Sequence, residues 1–305
     1  MEIVVCISVV PDTTSKINFA ENNTKFDENG ITFIINPFDE FCLTKAIFIK
    51  EQYGANITVL NVGSSKNDPV LRKALAIGAD KAVRIESNNL EGLSVSKHLS
   101  KYIKENNFDL IFCGKESIDY NGGTVPGFIA AILNIPLANG CVGMNISGDN
   151  ITVENEIDNG IQVCESKKPI VIAGQKGLVE EKELKIPSMR GIMMARSKPL
   201  EIIKPEENFE NSIELKEFEL PKEKSECKMI DSEKCFIKYH IGVYAYRFDI
   251  LQLWSKLPTS QLERYESLEQ LRWLDYDIPI YAFEYTNEVL SVDNIKQLDY
   301  ARSMI

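Results

Sequence analysis

Basic residues are in short supply: 34 lysines and arginines stand against 45 aspartates and glutamates, a net charge of −11. A protein that grips a nucleic-acid backbone needs a basic face to offset phosphate charge, so the imbalance argues against that class of partner. It leaves small nucleotides open, because a helix N-terminus can hold phosphate inside an acidic protein. Histidine is scarcer still. His98 and His240 are the only two, and neither has a cysteine at ligand spacing, so no zinc site is expected. The seven cysteines (6, 42, 113, 141, 164, 227 and 235) include no CxxC pair, and several fall inside apolar runs. Buried, reduced thiols in a cytoplasmic protein are the expectation. No apolar run approaches the roughly 20 residues of a membrane span. The opening MEIVVCISVVPDTT lacks the basic and apolar regions of a secretory signal, so no membrane insertion is expected.

What the chain does have is alternation of strand and helix patterns. Ile3–Val10 reads as a buried strand stopped by Pro11-Asp12, and Ile31–Ile35 as a second β-rich run ended by Asn36-Pro37. Phe38, Phe41, Cys42, Ala46, Ile49 and Tyr53 then recur at helical spacing up to Gly54. Ile57–Val62 is an apolar strand, a helix runs from Asp68-Pro69 to Gly78, and Lys81–Ile85 is a short strand. Val95, Leu99, Tyr102 and Ile103 line one face of a further helix. Nearly continuous apolar strands alternating with helices imply an α/β fold with a parallel sheet covered on both faces. Ligands on such sheets sit beyond the carboxyl ends of the strands, here Cys6–Ser8, Val62–Ser65 and Gly114–Asp119.

The stretch 110–133, LIFCGKESIDYNGGTVPGFIAAIL, carries the sharpest local signal. A strand, Leu110–Cys113, leads into a loop with Gly114, Gly122 and Gly123; Thr124 stands at an N-cap position and Pro126 in a first turn. Glycines let backbone N–H groups approach a ligand, and a helix N-terminus favours phosphate. The loop is neither a Walker A motif nor a GxGxxG fingerprint, and a glycine-rich turn with no ligand is the competing reading.

Beyond Gly140 the pattern changes. Val142–Ile146, Ile151–Glu156 and Gln162–Cys164 are short runs separated by SGDN and DNG, which predicts a β-ribbon, and Pro169–Ala173 returns to a buried strand. Lys185–Pro199 is basic and methionine-rich, fit either for a partner contact or for core filling. Pro205–Lys228 reads as an acidic arm. The last seventy residues predict strands at Ile241–Tyr246 and Ile278–Tyr285. They also predict helices around Leu251–Leu257 and Leu268–Leu274 and from Ile295 to Met304, with Trp254 and Trp273 as core.

Val4–Val10, Ile35-Asn36-Pro37-Phe38-Asp39-Glu40, Arg72–Ala76 with Ile77–Asp80, Cys113-Gly114-Lys115 with Ile118-Asp119, Glu156–Gly160, and Ile186-Pro187 leading to Gly191-Ile192-Met193 form a set of blocks in order. Together they resemble the β subunit of electron-transfer flavoproteins. The resemblance implies an adenine nucleotide alpha hydrolase-like nucleotide-binding domain over residues 1–205, with a β-ribbon excursion and an arm over 206–235. It implies an electron-carrier subunit, not an enzyme, paired with an α subunit that carries FAD and serving acyl-CoA dehydrogenase-type flavoenzymes of fatty acid β-oxidation. Its nucleotide would be AMP, or the AMP portion of a second FAD. By the same resemblance the nucleotide site falls on Cys6, Asn36, Pro37, Phe38, Asp39, Val62, Gly114, Lys115, Ser117, Ile118, Asp119, Asn121, Gly122, Gly123, Thr124 and Val125. Met189, Ile192 and Met193 match a loop that docks dehydrogenases, and Glu156 a carboxylate near the flavin. The sequence departs from the family at Tyr120-Asn121-Gly122-Gly123, where acidic residues are usual.

The stretches KYHIGVYAYR, SLEQLRWLD and SVDNIKQLDYAR, within residues 236–305, look instead like the C-terminal part of 3-deoxy-manno-octulosonate cytidylyltransferase, a small α+β segment. Glu269, Gln270 and Asp293 match substrate-side and magnesium positions, and Ser291 stands where glycine is usual. The CTP-binding half of that enzyme has no counterpart, so the tail reads as a fusion and not as a catalyst. The alternatives are a cytidylyltransferase-related enzyme and a nucleotide-binding regulatory module. The missing CTP loop weighs against the first, and the Lys185–Met193 segment against the second.

Overall fold

The apolar strands stack side by side, as their composition requires. The structure is a computed structural model that describes residues 1–21, 23–88, 90–206, 209, 212–213, 216–219, 241–285 and 295–303. The chain divides into two compact units, Met1–Pro221 and Lys222–Ile305.

The first unit runs β1 (Glu2–Cys6), β2 (Val9–Pro11), β3 (Phe19–Ala20), β4 (Lys25–Phe26), β5 (Phe33–Ile35) and α1 (Pro37–Tyr53). It continues through β6 (Asn56–Gly63), α2 (Asp68–Ile77), β7 (Lys81–Glu86), α3 (Gly92–Asn106), β8 (Leu110–Gly114) and α4 (Val125–Leu133). There follow β9 (Leu137–Ser147), β10 (Asn150–Ile157), β11 (Gly160–Lys167), β12 (Ile170–Gly174), α5 (Met189–Ala195) and β13 (Leu200–Ile203). Among the described residues, nine strands form one sheet in the order β11-β10-β9-β12-β8-β1-β6-β7-β13. From β9 to β13 every neighbouring pair is parallel, while β10 and β11 extend the sheet as an antiparallel ribbon.

Alternation along each strand divides the core in two. Ile3, Val5, Leu110 and Phe112 face one way with α1 and α2, packing on Leu43, Ala46, Leu71 and Leu75. Val4, Cys6, Ile111 and Cys113 face the other way with α3 and α4, packing on Leu99, Ile103 and Ile129. Helices therefore cover both faces, which is why these strands are apolar throughout.

The expected strand Ile3–Val10 breaks after Cys6. Its second part, β2, leaves the main sheet and pairs antiparallel with β5 (Val9↔Ile35), so Ile31–Ile35 is not a strand of the parallel sheet. Thr124 precedes α4, but its side chain caps nothing and its backbone is already helical.

The second unit holds α6 (Phe248–Trp254), α7 (Gln261–Glu266), α8 (Leu271–Asp275) and α9 (Ile295–Ser303). Ser260 and Glu263 form a reciprocal capping box on α7. Arg272 donates Nε to Glu263 Oε2 at 2.7 Å and lies 3.9 Å from the centre of the Trp254 ring. Trp254, Trp273 and Tyr246 cluster with ring centres 5.0 and 5.8 Å apart. Neither Ile241–Tyr246 nor Ile278–Tyr285 forms a strand among the described residues; Val243 N donates to Ile241 O at 2.7 Å, which turns the first segment. Asp293 and Ser291 lie outside the described residues.

Candidate functional site

The candidate crevice is placed where the carboxyl ends of β8, β1 and β6 lie side by side. The segment opening α1, Asn36-Pro37-Phe38-Asp39, laces the ends of β1 and β8 together. Pro37 suits the first turn because its missing N–H is one the helix leaves unpaired anyway. Asn36 occupies the N-cap position, yet its side chain does not cap the helix. Its amide instead donates to Glu116 O at 2.9 Å and accepts from Ile118 N at 3.3 Å, holding the loop after β8. Asp39 is buried and accepts Ser8 N at 2.7 Å and Gly114 N at 2.6 Å. One carboxylate therefore ties the end of β1 to the end of β8.

Burial pushes the Asp39 carboxyl up to about 7, against the opposing pull of the Ser8 and Gly114 N–H groups. The thiol of Cys42, on the next turn of α1, donates to Cys113 O at 3.1 Å. Burial, with the Asp39 charge second, lifts that thiol well above the ordinary range, so it is packing and not a nucleophile. A Cβ on Gly114 would lie 2.7 Å from Phe38 Cβ and closer still to Asp39 Oδ1, so only glycine lets the lacing close.

The loop after Gly114 is itself ordered. Lys115 N donates to Gly174 O at 2.8 Å, and Ser117 N to Gly122 O at 3.3 Å across an antiparallel bridge. Asn121 turns the chain with a φ of 48°. Asp119, Asn121, Gly123 and Thr124 are exposed, and Lys115, Ser117, Ile118, Gly122 and Val125 are half-buried. A Cβ on Gly123 would sit 3.3 Å from Lys115 O, so glycine keeps the approach to the start of α4 open. Cys6 and Val62, at the ends of β1 and β6, are buried in the floor. Asn61 Nδ2 joins these two ends by donating to Ile7 O at 2.8 Å.

The structure thus brings Cys6, Asn36–Asp39, Val62 and Gly114–Val125 to one end of the sheet. Glu156 is elsewhere, on β10 of the ribbon, where it accepts from Gln175 Nε2. Met189, Ile192 and Met193 sit on the short helix α5 and are 80, 44 and 71 % exposed. Arg72 of α2 holds that helix by donating Nη1 to Ala195 O and to Lys198 O, both at 2.7 Å. A cavity of about 250 Å³, lined by His98, Lys101, Ile203 and Phe209 among others, lies apart from the crevice, and none of the expected site residues lines it.

Sequence reasoning missed Arg72, Asn61 and Arg84 as organising groups. Arg84 is 2 % exposed and donates Nε to Asp68 Oδ1 at 2.7 Å and Nη1 to Gly63 O at 3.1 Å. A charge inside the apolar run Lys81–Ile85 was the available signal, since a buried arginine must be paired. Among the described residues, no group of three or more His, Cys, Asp or Glu could hold a metal ion, and no helix is long and apolar enough to cross a membrane.

The electron transfer flavoprotein domain model matches residues 23–208. The chain belongs to the electron transfer flavoprotein family. It is 33% identical over 232 residues to the electron transfer flavoprotein subunit beta of Bacillus subtilis, covering 73% of this chain and 88% of that one. Against the subunit beta of Syntrophomonas wolfei it is 34% identical over 235 residues, 76% of this chain and 91% of the relative. The subunit beta of Thermoanaerobacterium thermosaccharolyticum is 33% identical over 201 residues, covering 65% and 76%. These relatives support a beta subunit, and the family implies flavin-linked electron transfer.

Proposed function

We propose that the chain is the β subunit of a heterodimeric electron-transfer flavoprotein, an electron-carrier subunit and not a catalyst. In this reading an α subunit carries the FAD that accepts and passes on electrons. The crevice of this chain holds AMP, or the AMP portion of a second FAD. The observation that carries the reading is the lacing of Asn36 and Asp39 onto the loop 114–119, which leaves Gly123 and Thr124 exposed at the start of α4. Backbone N–H groups at that start suit a phosphate, and the open approach at Gly123 suits close contact. The side chains near the floor are Cys6, Val62 and Phe38, which suit an apolar base or sugar face.

In the same reading Met189, with Ile192 and Met193, docks acyl-CoA dehydrogenase-type flavoenzymes. An adaptable apolar side chain held out from a pinned helix fits that role. Glu156 lies toward the flavin. The tail takes no CTP; its likeness to a cytidylyltransferase rests on sequence alone, and the matched family domain ends at residue 208. Mass spectrometry of small molecules released by heat from the co-purified complex tests the proposal. One adenosine nucleotide per chain is expected, and a preparation with α-bound FAD but no nucleotide in this chain would sink the crevice assignment.

A further inference from the structure

After β1 the chain leaves the main sheet and comes back to α1 as one long finger. At its base Asn36 N donates to Ser8 O at 3.0 Å, and β2 pairs with β5 from Val9↔Ile35 to Pro11↔Phe33. Further out Asp12 N donates to Thr32 O at 2.8 Å and Asp27 N to Asn18 O at 3.0 Å, and β3 pairs with β4 toward the turn that holds Asn23. The base belongs to the crevice, since the Asp39 carboxyl accepts Ser8 N and Asn36 holds the loop after β8. The rest has no core of its own: no described residue from Pro11 to Ile34 is buried. A two-stranded ribbon without a packed face is marginally stable at best in water. Beyond β2 and β5, two polar or ring ties reach the finger from outside among the described residues. Lys66, in the turn after β6, pairs with Glu28, but both side chains are exposed and such a pair contributes little. The other tie is Phe218, from the arm that follows β13. Its ring stacks on Phe19 with centres 4.8 Å apart and planes 6° from parallel, and its N–H donates to Asn23 O at 2.7 Å.

We infer that Phe218 is a latch on this finger, and that its grip on Phe19 and Asn23 sets how fast the crevice exchanges its nucleotide. The inference rests on the adenosine-nucleotide reading of the crevice and adds what controls it. With the tip held, the ribbon keeps Ser8 and Asn36 together at its base. Asp39 then keeps its hold on Ser8 N and Gly114 N, and Asn36 its hold on Glu116 and Ile118. With Phe218 off, the finger opens as a local unit, the Ser8–Asn36 base loosens, and the loop after β8 is freed more often. Phe218 touches no nucleotide in this scheme; it is a positioning residue that acts through Phe19.

Exchange of the bound nucleotide for radiolabelled AMP, in the full chain with any subunit that co-purifies, tests it. Phe218→Ala should exchange about tenfold faster than the native chain, the order expected for one lost aromatic stack. Phe19→Ala should do the same, and the double variant should be no faster than either, because both remove one contact. Phe218→Tyr keeps the ring and should hold the native rate. Amides of residues 19–26 should take up deuterium faster in both alanine variants while those of β1, β6 and β8 do not, which separates a released finger from general destabilisation. Equal AMP exchange in the native chain and Phe218→Ala overturns the inference alone, as do additive effects in the double variant or unchanged deuterium uptake at the finger. A native chain that carries no adenosine nucleotide and takes up no AMP overturns the crevice reading, and this inference with it.

Discussion

Asp39 Oδ1 accepts the backbone N–H of Gly114 at 2.6 Å across a separation of 75 residues. The other oxygen of the same carboxyl accepts Ser8 N, so one buried group joins the first helix to the ends of two neighbouring strands. The consequence is a pH dependence. Burial raises the folded-state value to about 7 from 3.8, so between those limits the folded chain holds a proton that the unfolded chain has lost. Stability from this group is fully present below the unfolded value and is lost as pH rises through about 7. Urea midpoints measured from pH 4 to 8 should therefore fall more steeply in the native chain than in Asp39→Asn, whose amide does not titrate. Parallel curves for the two proteins would remove Asp39 as the cause.

Much of this fold was legible because its strands are buried on both faces. The run Ile57–Val62 and the helix from Phe38 to Gly54 sit almost where periodicity puts them. The split between β1 and β2 was not legible, since an apolar run does not say where its hydrogen-bonding partner ends. The strands expected at Ile241–Tyr246 and Ile278–Tyr285 do not form among the described residues, and a side-chain pattern alone does not specify a backbone partner. The glycine-rich loop was visible from composition, but its anchoring by Asn36 links residues 80 and 82 positions apart, beyond the reach of any local rule. Thr124 shows the opposite error. Its residue type suits a cap, yet its backbone is helical and its hydroxyl caps nothing.

The approach to α4 offers a direct test of the crevice. Valine at 123 adds a Cβ at 3.3 Å from Lys115 O and two methyl groups beyond it. Because Gly123 is exposed and does not need a left-handed backbone, the fold should survive the change. Gly123→Val is expected to leave protein free of adenosine nucleotide, read by chromatography of heat-released extracts. Stoichiometric nucleotide in those extracts would place the site elsewhere.

Removing the Asn36 side chain should act on the same loop by a different route. Asn36→Ala deletes the partner of Glu116 O and of Ile118 N, and an unmet buried polar group costs about 1–3 kcal/mol. The expected result is a lowered thermal midpoint in nucleotide-free protein and a weaker hold on nucleotide by isothermal titration. A variant that matches the native chain in both measurements would show that the lacing is incidental.

Met189 separates docking from cofactor binding. It is 80 % exposed, so Met189→Ala should leave stability within about 0.5 kcal/mol of the native value. An anchor at a partner contact carries on the order of 2 kcal/mol. Stopped-flow transfer from an acyl-CoA dehydrogenase should therefore slow at sub-saturating partner concentration, with flavin content unchanged. Native kinetics in this variant would dismiss the docking role of α5.

The second unit can be followed by itself, because Trp254 and Trp273 are the only tryptophans in the chain. Their rings pack 5.0 Å apart against Arg272, which the paired Glu263 holds in place. A core this small buries a modest share of its surface and resists denaturant weakly, whereas the nine-stranded sheet buries long apolar strands on both faces. Tryptophan fluorescence should accordingly report a transition at lower urea than far-UV circular dichroism, which is dominated by the first unit. Arg272→Ala removes both the stacking on Trp254 and the partner of Glu263, so it should lower the fluorescence midpoint while leaving the main dichroism transition in place. Coincident transitions in the native chain, moving together in the variant, would mean that the two units unfold as one. On the carrier reading, incubation with CTP and a sugar acid should yield no CMP-sugar; detection of that product by mass spectrometry would restore the transferase reading.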